Sequence, residues 1–187
     1  MLRFQKRTTL ACSASTLYHW HMLPDAFQIL TPPWEKVSIV SRPESLQNGA
    51  KIKLQLCVGP LRISWVALHE NFVEGRRFDD VQLSGPFRKW HHSHLFEPVT
   101  EDSSIMHDSI AFEIPGGRLL NRLASPIVNR RLQKMFHYRH QQLVSIFGET
   151  SWHVRGDSSV ISKPDLTSNW IGCLLRLKFF HNHETNN

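Results

Sequence analysis

From residue 34 to residue 114, apolar and polar positions alternate in run after run, the period-two pattern of strands with one buried face. Trp34–Arg42, Ala50–Gly59 and Leu61–Val73 read as strands, separated by the turn formers Asn48-Gly49, Gly59-Pro60 and Glu74-Gly75. Arg76–Leu83, Lys89–Val99 and Ser104–Ile114 continue the series across Gly85-Pro86 and an acidic Glu101-Asp102 turn. Arg3–Leu10 supplies one more strand at the start. Connections this short predict antiparallel neighbours, since parallel pairing needs a crossover of about a dozen residues or more.

Helical spacing frames these strands. Ser13 or Ser15 can cap a short helix carrying Leu17, Tyr18 and Trp20. Pro24 suits the first turn of a second helix through Leu30, which Thr31-Pro32-Pro33 stops. Near the end, Ile127, Val128, Leu132, Met135, Phe136, Leu143 and Ile146 recur at helical intervals. Ser125 and Pro126 suit its cap and first position, and Gly148 its stop. At about 1.5 Å per residue such a helix reaches roughly 30 Å, enough to cross a sheet. The order predicts an α+β fold: a curved antiparallel sheet of about six to seven strands wrapped on a long C-terminal helix, with a cavity between them. Residues 1–148 form the expected domain. Residues 149–187 form an extension expected to be partly disordered or docking, with an apolar patch at Trp170–Phe180 (WIGCLLRLKFF).

Composition narrows the function without naming it. The 187 residues are 41% hydrophobic and 20% charged, ordinary for a globular chain, so a real core can form. The net charge of +6 comes with no run of five like charges, so no nucleic-acid partner is expected. Cys12, Cys57 and Cys173 are odd in number and lack CxxC spacing, which argues against a disulfide framework or zinc knuckle and for a reducing compartment. The apolar part of the first fifteen residues is shorter than the roughly 7–15 residues of a signal peptide. No run approaches the roughly 18 apolar residues of a membrane span. A cytoplasmic location is expected. There is no GxGxxG, hence no expected dinucleotide cofactor.

The densest chemistry lies in Gly85–Pro98, GPFRKWHHSHLFEP. On a strand, Trp90, His92, His94 and Phe96 share one face, so two imidazoles sit between two aromatic rings. This run belongs to a larger set of residues: His21 with Pro24-Asp25-Ala26; Leu30-Thr31-Pro32-Pro33-Trp34; Trp65; Phe78-x-Asp80; Gly85-Pro86-Phe87-x-x-Trp90-x-His92-x-His94-x-Phe96; Asp108; Pro115-x-Gly117; and Met135-Phe136-x-Tyr138-Arg139-His140. As a set it resembles the SRPBCC/START-like superfamily, the helix-grip fold of Bet v 1-type proteins. Within it, the set resembles a bacterial branch described as ligand-binding, some of whose members are labelled cell-division inhibitors. The resemblance covers about residues 3–147. It implies a small hydrophobic molecule as the partner, bound in the cavity. In some relatives the domain precedes an epimerase-like domain, which makes a separate epimerase-like protein a candidate partner.

In a helix-grip fold the concave face of the sheet lines the cavity. The aromatic face of the histidine strand is therefore expected to point inward, with Phe78, Asp80 and Gln82 beside it and Met106, Asp108, Ile110 and Phe112 on the next strand. Asp80 and Asp108 then reach His92 or His94, and a carboxylate beside an imidazole fixes its tautomer and raises its basicity. The expected ligand site comprises His92, His94, Asp80 and Asp108 as polar anchors. Its walls are Trp65, Phe78, Trp90, Phe96 and Phe112, with Phe136 closing from above. Trp65 reads equally as core or as wall. No catalytic residue and no metal ligand is assigned. A His-x-His on a strand plus one carboxylate could form a metal triad, but spacing fixes no third ligand. The rivals to binding without turnover are a cyclase or dehydratase using a His–Asp acid/base pair and a protein-interaction regulator linked to cell division. His21 is expected to pack or cap near Pro24, and Trp34 to pack in the core. Arg130, Arg131, Lys134, Arg139 and His140 are expected to form a solvated basic face.

Overall fold

A computed structural model of the chain describes residues 1–150, which form one unit. The WIGCLLRLKFF patch, Cys173 and almost all of the expected extension lie outside the described residues. The strands are β1 (Leu2–Leu10), β2 (Lys36–Ser41), β3 (Lys51–Val58), β4 (Leu61–Val73), β5 (Arg77–Ser84), β6 (Lys89–Thr100) and β7 (Ser103–Glu113). Helices α1 (Ala14–Met22) and α2 (Ala26–Ile29) follow β1, and α3 (Gly117–Phe147) ends the unit. The strands form one antiparallel sheet in the order β1-β7-β6-β5-β4-β3-β2, which leaves β1 and β2 as its edges. This is the expected α+β helix-grip architecture. No described helix is long and apolar enough to cross a membrane.

Local chemistry explains most boundaries. The Ser13 hydroxyl accepts from the Thr16 amide and caps α1. Between β4 and β5 the ladder shifts register, and Asn71 takes a left-handed φ of 56°, a conformation Asn tolerates better than most residues. The second helix starts at Ala26 rather than Pro24, because Asp25 occupies the N-cap position.

The last helix departs most from expectation. It begins at Gly117, not near Ser125, and Pro126 lies inside it. Proline has no N–H to give the Arg122 carbonyl one turn back. The Ser125 hydroxyl donates to that carbonyl instead, at 3.2 Å. Ser125 thus patches the ladder rather than capping an end.

On α3, Leu132, Phe136, His140 and Leu143 form the buried stripe. Two apolar clusters lie under it. One joins Leu10, Leu17, Tyr18, Phe96, Met106 and Leu143; the other joins Phe4, Trp65, Trp90, Ile110, Phe112 and Phe136. Each buried Phe or Leu side chain contributes roughly 1.5–3 kcal/mol. Along β6 the sequence Trp90, His92, His94, Phe96 runs from one cluster to the other, so the histidines mark a polar layer between two apolar ones. Trp34 is not core: it is 45% exposed, packs on Tyr138, and carries the Lys134 ammonium 4.4 Å over its ring.

Candidate functional site

Three neighbouring strands build the polar layer. Pairing sets Asp80 of β5 opposite His92 of β6, and His94 of β6 opposite Asp108 of β7. All four side chains therefore fall on the concave face. His92 Nε2 donates to Asp108 Oδ1 at 2.8 Å, and His92 Nδ1 lies 3.1 Å from Asp80 Oδ2. His94 Nε2 lies 3.2 Å from the same Asp80 oxygen. His94 Nδ1 lies 2.9 Å from Asp108 Oδ1 but off the hydrogen-bond line, so proximity rather than a formed bond joins them. From α3, His140 Nε2 donates to Asp108 Oδ2 at 2.8 Å, while its Nδ1 sits 2.6 Å from Thr8 Oγ1. The His92 and His94 rings lie 3.8 Å apart at their centroids.

The electrostatics follow from burial and pairing. Burial works against a charged His92, yet Asp80 and Asp108 outweigh it and raise the imidazole to about 9. Burial would raise Asp80 and Asp108, but the histidines around them hold both carboxyls well below the usual range. His21, buried and hydrogen-bonded through Nδ1 to the Leu17 carbonyl, is pushed down to about 3, chiefly by burial. Burial lowers His69 too, and pushes the Arg139 guanidinium below its ordinary value.

This layer borders a cavity of about 470 Å³ between the sheet and α3. Its walls are largely apolar, with Leu54, Leu56, Ile63, Phe87, Leu132 and Met135 among them. Three buried polar atoms of residues that face it have no hydrogen-bond partner among the described residues: Trp90 Nε1, His69 Nδ1 and His94 Nδ1.

Of the expected site residues, Trp65, Phe78, Asp80, Trp90, His92, His94 and Phe136 line the cavity. Trp65 is thus core and wall together. Three expected residues do not line it. Asp108 sits behind the histidines; Phe96 packs on Tyr18 and His21; Phe112 is covered by Phe87 and Trp90. Facing inward is not the same as reaching the hollow, because α1 and neighbouring side chains fill part of the concave side. Four residues outside the expected ligand site belong to it. His21, His69 and Arg139 line the cavity, and His140 anchors Asp108. His69 continues the inward alternation of Trp65 and Ala67, and His140 lies one helical turn beyond Phe136, so both spacings carry the signal. Arg139 and His140 are therefore not part of a solvated basic face.

Residues 36–147 match the model of a family described as a domain of unknown function, DUF8410. The chain belongs to that family. None of the curated proteins matches it. Solved structures of START/Bet v 1 type share the fold of this DUF8410 member. The Zhui aromatase/cyclase from Streptomyces sp. R1128 is 12% identical over 77% of this chain and 92% of its own, with a TM-score of 0.60. Norcoclaurine synthase from Thalictrum flavum, in complex with dopamine and hydroxybenzaldehyde, is 14% identical over 77% and 86%, at 0.57. A nucleoside-diphosphate sugar epimerase from Corynebacterium glutamicum is 26% identical over 76% of this chain but only 28% of its own, also at 0.57.

Proposed function

We propose that this DUF8410 domain binds a small hydrophobic molecule in the cavity, with the His/Asp layer holding its polar end, and without turnover. The observation that carries this reading is the hollow itself. Its volume of about 470 Å³ lies within the roughly 300–1,000 Å³ of ordinary ligand pockets. Apolar walls with a few convergent polar groups suit a molecule that is mostly hydrocarbon or aromatic ring. The partnerless Trp90 Nε1–H is a ready donor to an oxygen on such a molecule. Trp65, Phe78 and Trp90 supply the aromatic wall, and Phe136 the roof.

Native mass spectrometry of the purified full chain tests this, together with titration by anilinonaphthalene sulfonate, a fluorescent apolar probe. Saturable binding that Ala67→Phe abolishes is expected, because Ala67 lines the cavity and the larger ring fills it. Undiminished binding in a folded Ala67→Phe chain would refute the reading.

A second reading rests on a separate observation: His92, at the cavity wall, donates to the buried Asp108 in the manner of an oriented acid/base histidine. One structural neighbour is an aromatase/cyclase. Under this reading His92→Gln abolishes turnover of a candidate substrate, whereas under the first it weakens binding only modestly.

A further inference from the structure

Strand spacing offers two imidazoles and leaves a third ligand undefined; the fold supplies one. Asp80, His92 and His94 each present a donor atom, and these atoms all lie within 4.8 Å of one another. Asp80 Oδ2 is 3.1 Å from His92 Nδ1 and 3.2 Å from His94 Nε2. A first-row divalent ion binds imidazole nitrogen and carboxylate oxygen at about 2.0–2.2 Å, which separates neighbouring ligand atoms by about 2.9–3.5 Å. Both distances fall in that interval.

Hydrogen-bond accounting points the same way. Four ring nitrogens lie within 3.2 Å of two carboxylates. Two neutral imidazoles carry two N–H groups between them. With both rings neutral, two nitrogen lone pairs therefore face carboxylate oxygens, and with one ring cationic one still does; only two cations at a centroid separation of 3.8 Å in a buried layer leave none. His94 Nδ1 is buried and has no hydrogen-bond partner among the described residues. A cation held by His92 Nδ1, His94 Nε2 and Asp80 resolves the count. Each ring keeps one N–H, and both lie against Asp108.

We propose that Asp80, His92 and His94 bind one divalent transition-metal ion at the cavity wall, with Asp108 orienting His92 from behind and lying beside His94 Nδ1. Two imidazoles and one carboxylate suit zinc or ferrous iron better than magnesium or calcium, which prefer all-oxygen sites. The second shell is already built: Asp108 is fixed by His140, and His140 by Thr8. All three ligands line the cavity, so the remaining coordination positions open toward a bound molecule. This proposal stands whether or not the cavity holds a hydrophobic guest.

The test uses the full chain, stripped with EDTA, dialysed and titrated with Co²⁺, whose visible absorption reports nitrogen ligation. One saturating equivalent, displaced by Zn²⁺, is expected. Asp80→Asn with His94→Gln should abolish it, and Asp108→Asn should weaken it about 10–100-fold. His153, His181 and His183 are unchanged in these variants, so ions held there survive and are told apart. Absence of Co²⁺ absorption from the wild-type chain overturns the proposal regardless of how the variants fold. So does retention of the equivalent in a folded double variant. Probe fluorescence recorded on the stripped chain reads the apolar cavity separately, so failure of one idea leaves the other measurable.

Discussion

Asp108→Ala is the most informative single perturbation of this fold. The carboxylate is 4% exposed and takes hydrogen bonds from His92 and His140 at 2.8 Å, with His94 Nδ1 at 2.9 Å. Removing it leaves buried imidazoles from two elements, β6 and α3, without their shared acceptor. Breaking one partner out of a buried charged cluster costs about 3–5 kcal/mol. Against a total stability of about 5–15 kcal/mol, that is about a fifth or more of what holds a domain together. For a chain of this length 1 kcal/mol shifts Tm by about 2–4 °C, so the midpoint should fall by roughly 6–20 °C. Asp108→Asn keeps one acceptor oxygen and should cost less, about 1–3 kcal/mol. Urea unfolding followed by circular dichroism measures both. A cycle with His140→Ala isolates the Asp108–His140 coupling, expected at about 1–3 kcal/mol. An Asp108→Ala chain within about 0.5 kcal/mol of wild type would show that the polar layer is not organised around this carboxylate.

Asp79, one residue from the site, predicts a contrast. Its side chain is fully buried on the opposite face and accepts from Arg77, His91 and Asn71. Asp79→Asn should cost about 1.5–3 kcal/mol while leaving probe binding intact. Burial favours the neutral Asp79 acid, but Arg77, His91 and Asn71 prevail and hold its carboxyl below the usual range. Its folded value is depressed, so its contribution is present above about pH 4 and fades as the pH falls further. The gap between wild type and Asp79→Asn, read from urea midpoints at neutral and acid pH, should narrow on acidification; a constant gap refutes the assignment. Phe136, 1% exposed, should lose about 3–5 kcal/mol on change to Ala and enlarge the cavity, measured by unfolding and by the affinity of a bulkier probe.

The strands were legible because each is bounded by turn chemistry and half-buried. The bounds of β4, Leu61–Val73, follow from Gly59-Pro60 and Glu74-Gly75 alone. The start of α3 was not legible: Leu119, Leu120, Leu123 and Ile127 are exposed, so burial imposes no helical period there, and Pro126 reads as a beginning. The pairing of both histidines with Asp80 and Asp108 could be reached from alternation on adjacent strands. His140 could not be paired from the sequence, because its buried carboxylate lies thirty-two positions away and a charge on a helix ordinarily means solvent. Which inward residues meet the cavity depends on how α1 covers the sheet, and that is decided by three-dimensional packing.

Asp79 and Asp80 stand side by side in β5 and serve opposite faces, the first tied to Arg77 and His91, the second to His92 and His94. Sliding β5 by one position would drive each carboxylate into the other's surroundings and turn Phe78 outward. The neighbouring acids thus act as a two-sided key for strand alignment: a misregistered sheet loses both ionic clusters and an aromatic contact together, so partial mispairing has no foothold.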